Sequence, residues 1–262
     1  MRSCIRDTDM DLRERTEGFD RRHPWELSRI KAFRRIIWNA VPSGRKVKVL
    51  DVGCGDGFIS RELFKTIPVA SISGVDIHLS NDQIDELSSQ DEVVSYTNDY
   101  RELKIRFYDL VLMLDIIEHI KNDKAFLSEI VDKYMEDNGI IVITAPAFQG
   151  IYSAHDRFLE HHRRYSRKEL LALIGGNNLE CLCSGYLFIS LLPVRSIIVF
   201  FEKYLGIGKR GKRGVGRWSS GKLITKILEI LLDLDNLLAI SLARRGIVIP
   251  GLTVWALCRK LS

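Results

Sequence analysis

The stretch Lys48 to Gly57, KVLDVGCGDG, decides how this chain is read. The β-branched run Val47 to Val52 predicts a strand, and a helical pattern from Phe58 to Thr66 follows the glycines. Glycines let a backbone turn tightly and approach a ligand closely, and the helix behind them offers unpaired amides. The spacing here is GxGxG, not the GxGxxG of a dinucleotide turn. Asp51 precedes it and Asp56 lies inside it. Two carboxylates would repel a pyrophosphate, but they suit a ligand that carries an ammonium and a sulfonium.

Outward from the turn, strands and helices alternate. Ser71 to Ile77 and Val93 to Thr97 predict the second and third strands. Tyr108 to Leu114 is apolar almost throughout, as expected of a strand buried on both faces of a parallel sheet. Lys124 to Met135 predicts a helix closed by Asn138-Gly139, and Ile140 to Thr144 predicts a fifth strand stopped at Pro146. The expected fold is therefore α/β: a Rossmann-like, doubly wound sheet. Leu179 to Phe188 and Leu252 to Cys258 predict strands six and seven, a final hairpin that makes the mostly parallel sheet end in an antiparallel strand. Extra C-terminal helices complete the fold. Upstream, a charged segment at 1–22 leads to a helix from Pro24, with Trp25, Ile30, Phe33, Ile36 and Ile37 at helical spacing and a stop at Pro42-Ser43-Gly44. Downstream, Ser166 and Glu169 form a capping box for a helix that ends at Gly175-Gly176. The division this predicts is an N-terminal segment at 1–44, a core at 45–188, a helical insertion at 189–250 and a last core strand at 251–262.

In an open α/β sheet the ligand lies outside the carboxyl ends of the strands. Asp51, Asp76, Asp99 and Asp115 recur there. The segments VLDVGCGDG, GVDIH, TNDYREL, YDLVLMLDIIEHI and NGIIVITAP, in that order over residues 45–147, resemble the class I S-adenosylmethionine-dependent methyltransferases. The resemblance implies that Gly53, Gly55 and Gly57 pass close to the methionine part of S-adenosylmethionine, in a turn shared with Asp51 and Cys54. It implies that Asp76 holds the ribose beside Ile77, that Asp99 meets the adenine amine beside Tyr100, and that Leu114 and Asp115 complete the cofactor site. The rival readings are a nicotinamide-dependent oxidoreductase, which needs GxGxxG spacing, and a scaffold that keeps the fold without catalysis.

The stretch IYSAHDRFLEHHRRYSRKEL resembles methyltransferases found with saccharide-processing glycosyltransferases, and departs from their pattern at Glu160, where a glycine is expected. That resemblance implies an acceptor hydroxyl on a saccharide or lipid-linked glycan. Just beyond the fifth strand, such a loop would overhang the donor site. Methyl transfer to an alcohol needs a base, and histidine is the natural one near neutral pH. His119 or His155 can serve, oriented by Glu118 or Asp156. His161, Arg163, Arg164 and Tyr165 are expected at the acceptor, where the arginines suit a phosphate or carboxylate; the same cluster also reads as a solvated polar loop. Glu118 and His119 with a second histidine from 155–162 are similar to the metal site of some O-methyltransferases. The Glu-His pair also follows the fourth strand in metal-free members, and no metal is assigned.

Composition adds limits. The 262 residues are 46% apolar and 28% charged, an ordinary globular balance with room for a sizeable core. The net charge of +5 traces largely to Lys209 to Lys222, which holds six basic residues and no acid. There is no basic stripe of the kind that marks a nucleic-acid partner. Five scattered cysteines fit a reducing cytoplasm, the charged N-terminus does not read as a secretory signal, and no apolar run is long enough to span a bilayer. Ile189 to Leu205 and the amphipathic run Lys222 to Arg245, joined by a basic loop, have two readings: cap helices on the sheet or at a homodimer interface, or a peripheral dock for anionic lipid at the inner membrane surface.

Overall fold

The structure, a computed structural model, describes residues 22–41, 45–65, 67–90, 92–204 and 220–262. Expectations for the charged residues 1–21, the Pro42-Ser43-Gly44 stop and most of the basic loop lie outside them. A seven-stranded sheet runs in the order β3-β2-β1-β4-β5-β7-β6. Its strands are β1 (Val47–Val52), β2 (Val69–Val75), β3 (Val94–Thr97), β4 (Tyr108–Leu114), β5 (Met135–Pro146), β6 (Leu179–Leu187) and β7 (Thr253–Lys260). The first five pair in parallel, and β7 pairs antiparallel with both β5 and β6. The expected Rossmann-like sheet is present. Strands six and seven do pair antiparallel, but they are no simple hairpin: β7 returns after two helices to fill the place between β5 and β6.

The helices are α1 (Pro24–Ile37), α2 (Phe58–Phe64), α3 (Asn81–Ser88), α4 (Asp123–Tyr134), α5 (Ala154–Phe158), α6 (Arg167–Gly175), α7 (Leu191–Tyr204) and α8 (Lys222–Ala243). Two of them, α3 and α5, were not expected. Both open on capping boxes, Ser80 with Gln83 and Ser153 with Asp156, which a search for that spacing would have found. Asn138-Gly139 is not a helix cap: α4 ends at Tyr134, and both residues lie inside the longer β5, with Asn138 at φ +63°.

Every position of β4 is buried, so apolar side chains on both faces of the sheet hold two core layers together. The register sets the site. Val52 aligns with Val75 on β2 and Met113 on β4. The first loop residues beyond these three strands, Gly53, Asp76 and Asp115, therefore emerge side by side.

The long helix α8 is turned inside out relative to its sequence pattern. The acidic and amide part of its polar stripe faces the protein, while Lys222 and Lys226 stay exposed: Glu229 pairs with Lys31 at 2.6 Å, Asp233 pairs with Arg35, and the buried Asn236 accepts from the Phe188 amide at 2.9 Å. Its aliphatic stripe faces outward, with Leu231 and Leu234 each 55% exposed.

Candidate active site

Gly53, Gly55 and Gly57 all take positive φ, +73°, +54° and +67°. A Cβ on Gly53 would lie 1.8 Å from Ile116 Cδ1, and one on Gly57 2.1 Å from the Tyr96 hydroxyl oxygen. On Gly55 a Cβ would meet no atom within 4 Å, because this residue faces open space. Asp76 is locked against the turn: its carboxylate accepts from the Gly55 amide at 3.0 Å and from the His78 amide at 3.0 Å. Burial pushes the Asp51 carboxyl up to about 7, aided by the nearby charge of Asp76 and opposed by a Ser60 hydrogen bond. Asp115, at φ +57°, accepts from Thr144 Oγ1 at 2.7 Å and from Arg29 Nη2 at 2.6 Å. Such strain in a non-glycine residue persists only where surrounding bonds over-determine it, as they do here.

Helix α1 and the residues leading into it bring two cations to this turn that sequence reasoning missed. Arg22 pairs with Asp56 and lies over the Phe58 ring, and Arg29 stacks 4.2 Å from the Trp25 ring centre. Both arginines line a cavity of about 570 Å³ together with Gly53, Gly55 and Asp115. The donor set fits S-adenosylmethionine: space opens at Gly55, carboxylates face its cationic centres, and guanidinium groups can meet its carboxylate.

The predicted cofactor residues divide. Gly53, Cys54, Gly55, Leu114 and Asp115 line the cavity, whereas Asp51, Gly57, Asp76, Ile77, Asp99 and Tyr100 do not. Asp51 and Gly57 build the turn from behind. Ile77 is 72% exposed on the rim that Asp76 holds in place. Asp99 closes on Arg101 Nε at 3.0 Å. The ring of Tyr100 packs edge-on against Phe126 and Tyr134, and its hydroxyl donates to Glu129, so it is turned toward α4.

At the other end of the cavity, α5 positions the acceptor-side groups. Asp156, fully buried, accepts from the Ser153 amide (2.9 Å), Ser153 Oγ (3.2 Å), Arg164 Nε (2.7 Å) and His161 Nδ1 (3.0 Å). Burial alone would raise its pKa; the hydrogen bonds from His161 and Arg164 win and hold it well below the usual carboxylate range. Asp156 therefore orients His161, not His155, whose own amide donates to Ser153 Oγ. The His161 ring stands edge-on to His119 at 4.7 Å. Burial, then the His161 charge, lowers His119 to about 4, so it is neutral at physiological pH and a weak base.

Glu118 is buried at the same point, and the ligand atoms of Glu118, His119 and His161 lie within 4.8 Å of one another. Arg163 and Tyr165, expected at the acceptor, are both bound to Asp123, at 2.9 and 2.6 Å, and neither lines the cavity. His155, His161 and Arg164 do line it, joined by Arg195, which donates to Ser153 Oγ at 2.7 Å. In the sequence Arg195 only interrupted an apolar run, so nothing there marked it as a site residue. Glu160 takes φ +57°: the backbone keeps the conformation a glycine would adopt easily, though the side chain differs.

With this geometry in view, comparison with known proteins identifies the family. The family model described as "Methyltransferase domain" matches residues 19–184. The chain belongs to that family. Among curated relatives, the chain is 31% identical over 112 residues to a "Ubiquinone biosynthesis O-methyltransferase" of Rickettsia typhi, a match covering 38% of this chain and 41% of that one. It is 23% identical over 117 residues to a "Malonyl-[acyl-carrier protein] O-methyltransferase" of Halalkalibacterium halodurans, covering 42% of this chain and 43% of that one. The chain thus spans about two-fifths of the length of these relatives. Among solved structures, the N-methyltransferase NodS of Bradyrhizobium japonicum, in complex with S-adenosyl-L-homocysteine, shares the fold at a TM-score of 0.53 and 12% identity, covering 98% of this chain and 100% of that one. The family match bears out the expected methyltransferase class. The comparisons reach no saccharide-specific subgroup.

Proposed function

We propose that this methyltransferase moves a methyl group from S-adenosylmethionine to a hydroxyl on a saccharide or lipid-linked glycan, with His161 as the base. The observation that carries the reading is the Asp156–His161 pair at the cavity wall. Bound S-adenosylmethionine supplies a methyl group made electrophilic by its sulfonium. The chain supplies alignment, which is most of what an in-line displacement needs, and a place for the proton. Asp156 accepts a hydrogen bond from Nδ1–H of His161, leaving Nε2 to accept the hydroxyl proton. As the oxygen–methyl bond forms the carbon–sulfur bond breaks, and the imidazolium that results is stabilised by Asp156. His155 and Arg195 offer polar contacts to an acceptor phosphate or hydroxyl, while Leu159, Leu191, Leu228 and Leu232 give the same wall an apolar side. That mixture supports an amphipathic acceptor.

A second reading rests on Glu118, His119 and His161. A carboxylate and two neutral imidazoles suit a divalent cation that would polarise the acceptor hydroxyl, with Asp156 then holding the ligand His161. Labelled methyl transfer into lipid-linked and free saccharides, run with and without chelator, tests both. The first reading expects labelled saccharide and activity that survives chelation. Activity lost to chelator and restored by magnesium or manganese would establish the second. Failure to label any saccharide while another hydroxyl compound is methylated overturns the acceptor class.

A further inference from the structure

We propose that the outward faces of α7 and α8 seat this methyltransferase on an anionic lipid bilayer. An amphipathic helix ordinarily buries its apolar stripe. Here α8 turns Glu229, Asp233 and Asn236 inward against Lys31, Arg35 and the Phe188 amide. Left outside, at spacings of three and four residues, are aliphatic side chains such as Ile227, Leu231, Leu234 and Leu238. Helix α7 does the same with Ile197 and Phe200, 57% and 54% exposed. Scattered apolar residues are normal on a surface; stripes along two helices are not.

Charge selects the occupant. None of the acids of α7 or α8 is exposed, and the exposed charges on the two helices are Lys203, Lys222 and Lys226. Arg244 and Arg245, also exposed, follow directly. Apolar and basic without acidic is the composition of a helix lying in the interface of an anionic bilayer. A second copy of the chain is the rival occupant, but a two-fold contact sets a patch against itself and would oppose these like charges. The same helices line the cavity from within, through Leu191 and Arg195 of α7 and Leu228 and Leu232 of α8. Docking would therefore bring the acceptor side of the cavity to the lipid. Among the described residues no helix is long and apolar enough to cross a membrane, so contact would be peripheral.

The test uses the full chain, phosphatidylcholine vesicles with and without phosphatidylglycerol, and the exposed-site variants I227E/L234E and K203E/K222E. Circular dichroism and titration with S-adenosylmethionine on the same samples show that each variant is folded and keeps its donor site, so failure of the dock is distinguishable from failure of the methyl-transfer reading. The expected result is co-sedimentation of the natural protein with anionic vesicles, reduced about tenfold or more by either double substitution, by neutral vesicles and by high salt. No binding to anionic vesicles overturns the proposal, as does binding by either variant equal to that of the natural protein. A dimer in solution that I227E/L234E dissociates, without vesicle binding, would assign the face to a second copy.

Discussion

Replacing Asp156 by Asn tests how the acceptor side is held. Asp156 is wholly buried and accepts four hydrogen bonds, one of them from the Arg164 guanidinium, whose side chain is only 6% exposed. With a neutral amide in place of the carboxylate, Arg164 loses its counter-charge and keeps only neutral acceptors, among them the Ala147 carbonyl at 3.1 Å. Breaking a buried ion pair from one side costs about 3–5 kcal/mol, since the surviving charge stays buried and uncompensated. In a domain of this size, that lowers the melting temperature by roughly 10 °C. The pH profile adds a check. The folded pKa of Asp156 is depressed, so its stabilisation is present above the ordinary carboxylate pKa and fades as pH falls below it toward the folded value. The gap between the natural protein and D156N in thermal unfolding should be constant from about pH 5 to 8 and shrink below about pH 4. In methyl transfer, loss of the oriented His161 tautomer should cost about 10²–10⁴ in kcat with little change in cofactor affinity. A melting shift under about 2 °C would show that these charges do not hold the loop. An unchanged kcat would remove His161 from the proposed chemistry.

Other substitutions separate the remaining claims. H161N should lower kcat by about 10²-fold or more at unchanged cofactor affinity, whereas H155Q should act mainly through KM; equal effects would place the base elsewhere. E160G should raise stability by up to about 1 kcal/mol in chemical unfolding, because glycine relieves the φ of +57°, partly offset by a more flexible unfolded chain. G57A should destabilise by about 2 kcal/mol or more and weaken S-adenosylmethionine binding, since its φ is +67° and the new methyl group would meet Tyr96. Asp51, raised to about 7, destabilises the fold as pH rises from its unfolded pKa near 3.8 through 7, because burial resists ionisation. D51N should remove that slope and gain stability on the order of 4 kcal/mol above pH 7; a gain independent of pH would contradict the raised pKa.

The donor half was legible because its signals are local. A GxGxG turn after a β-branched run, with acids at successive strand ends, states both the turn geometry and the charge it must face. The acceptor half was only partly legible. His161 and Asp156 were both noticed, but which histidine the carboxylate would meet depended on the single turn of α5 and the reversal at Glu160. Arg163 and Arg164 are neighbours in sequence, yet one binds Asp123 and the other Asp156. Arg22 and Arg29 carried no motif at all, and they reach the glycine turn because α1 packs across it.

The amino-acid sequence by itself determined the α/β class, the glycine turn, the recurrence of acids at strand ends and the presence of two amphipathic C-terminal segments, since hydrophobic period, turn chemistry and strand-end charge act over a few residues. Tertiary structure decided what those segments face. Periodicity says that α8 has a polar and an apolar stripe; only Lys31 and Arg35 on α1 and the Phe188 amide, all distant in the chain, decide that the polar one turns inward. Likewise, only the fold brings Glu118, His119, Asp156 and His161 to one wall, because that meeting is set by long-range packing that no local pattern encodes.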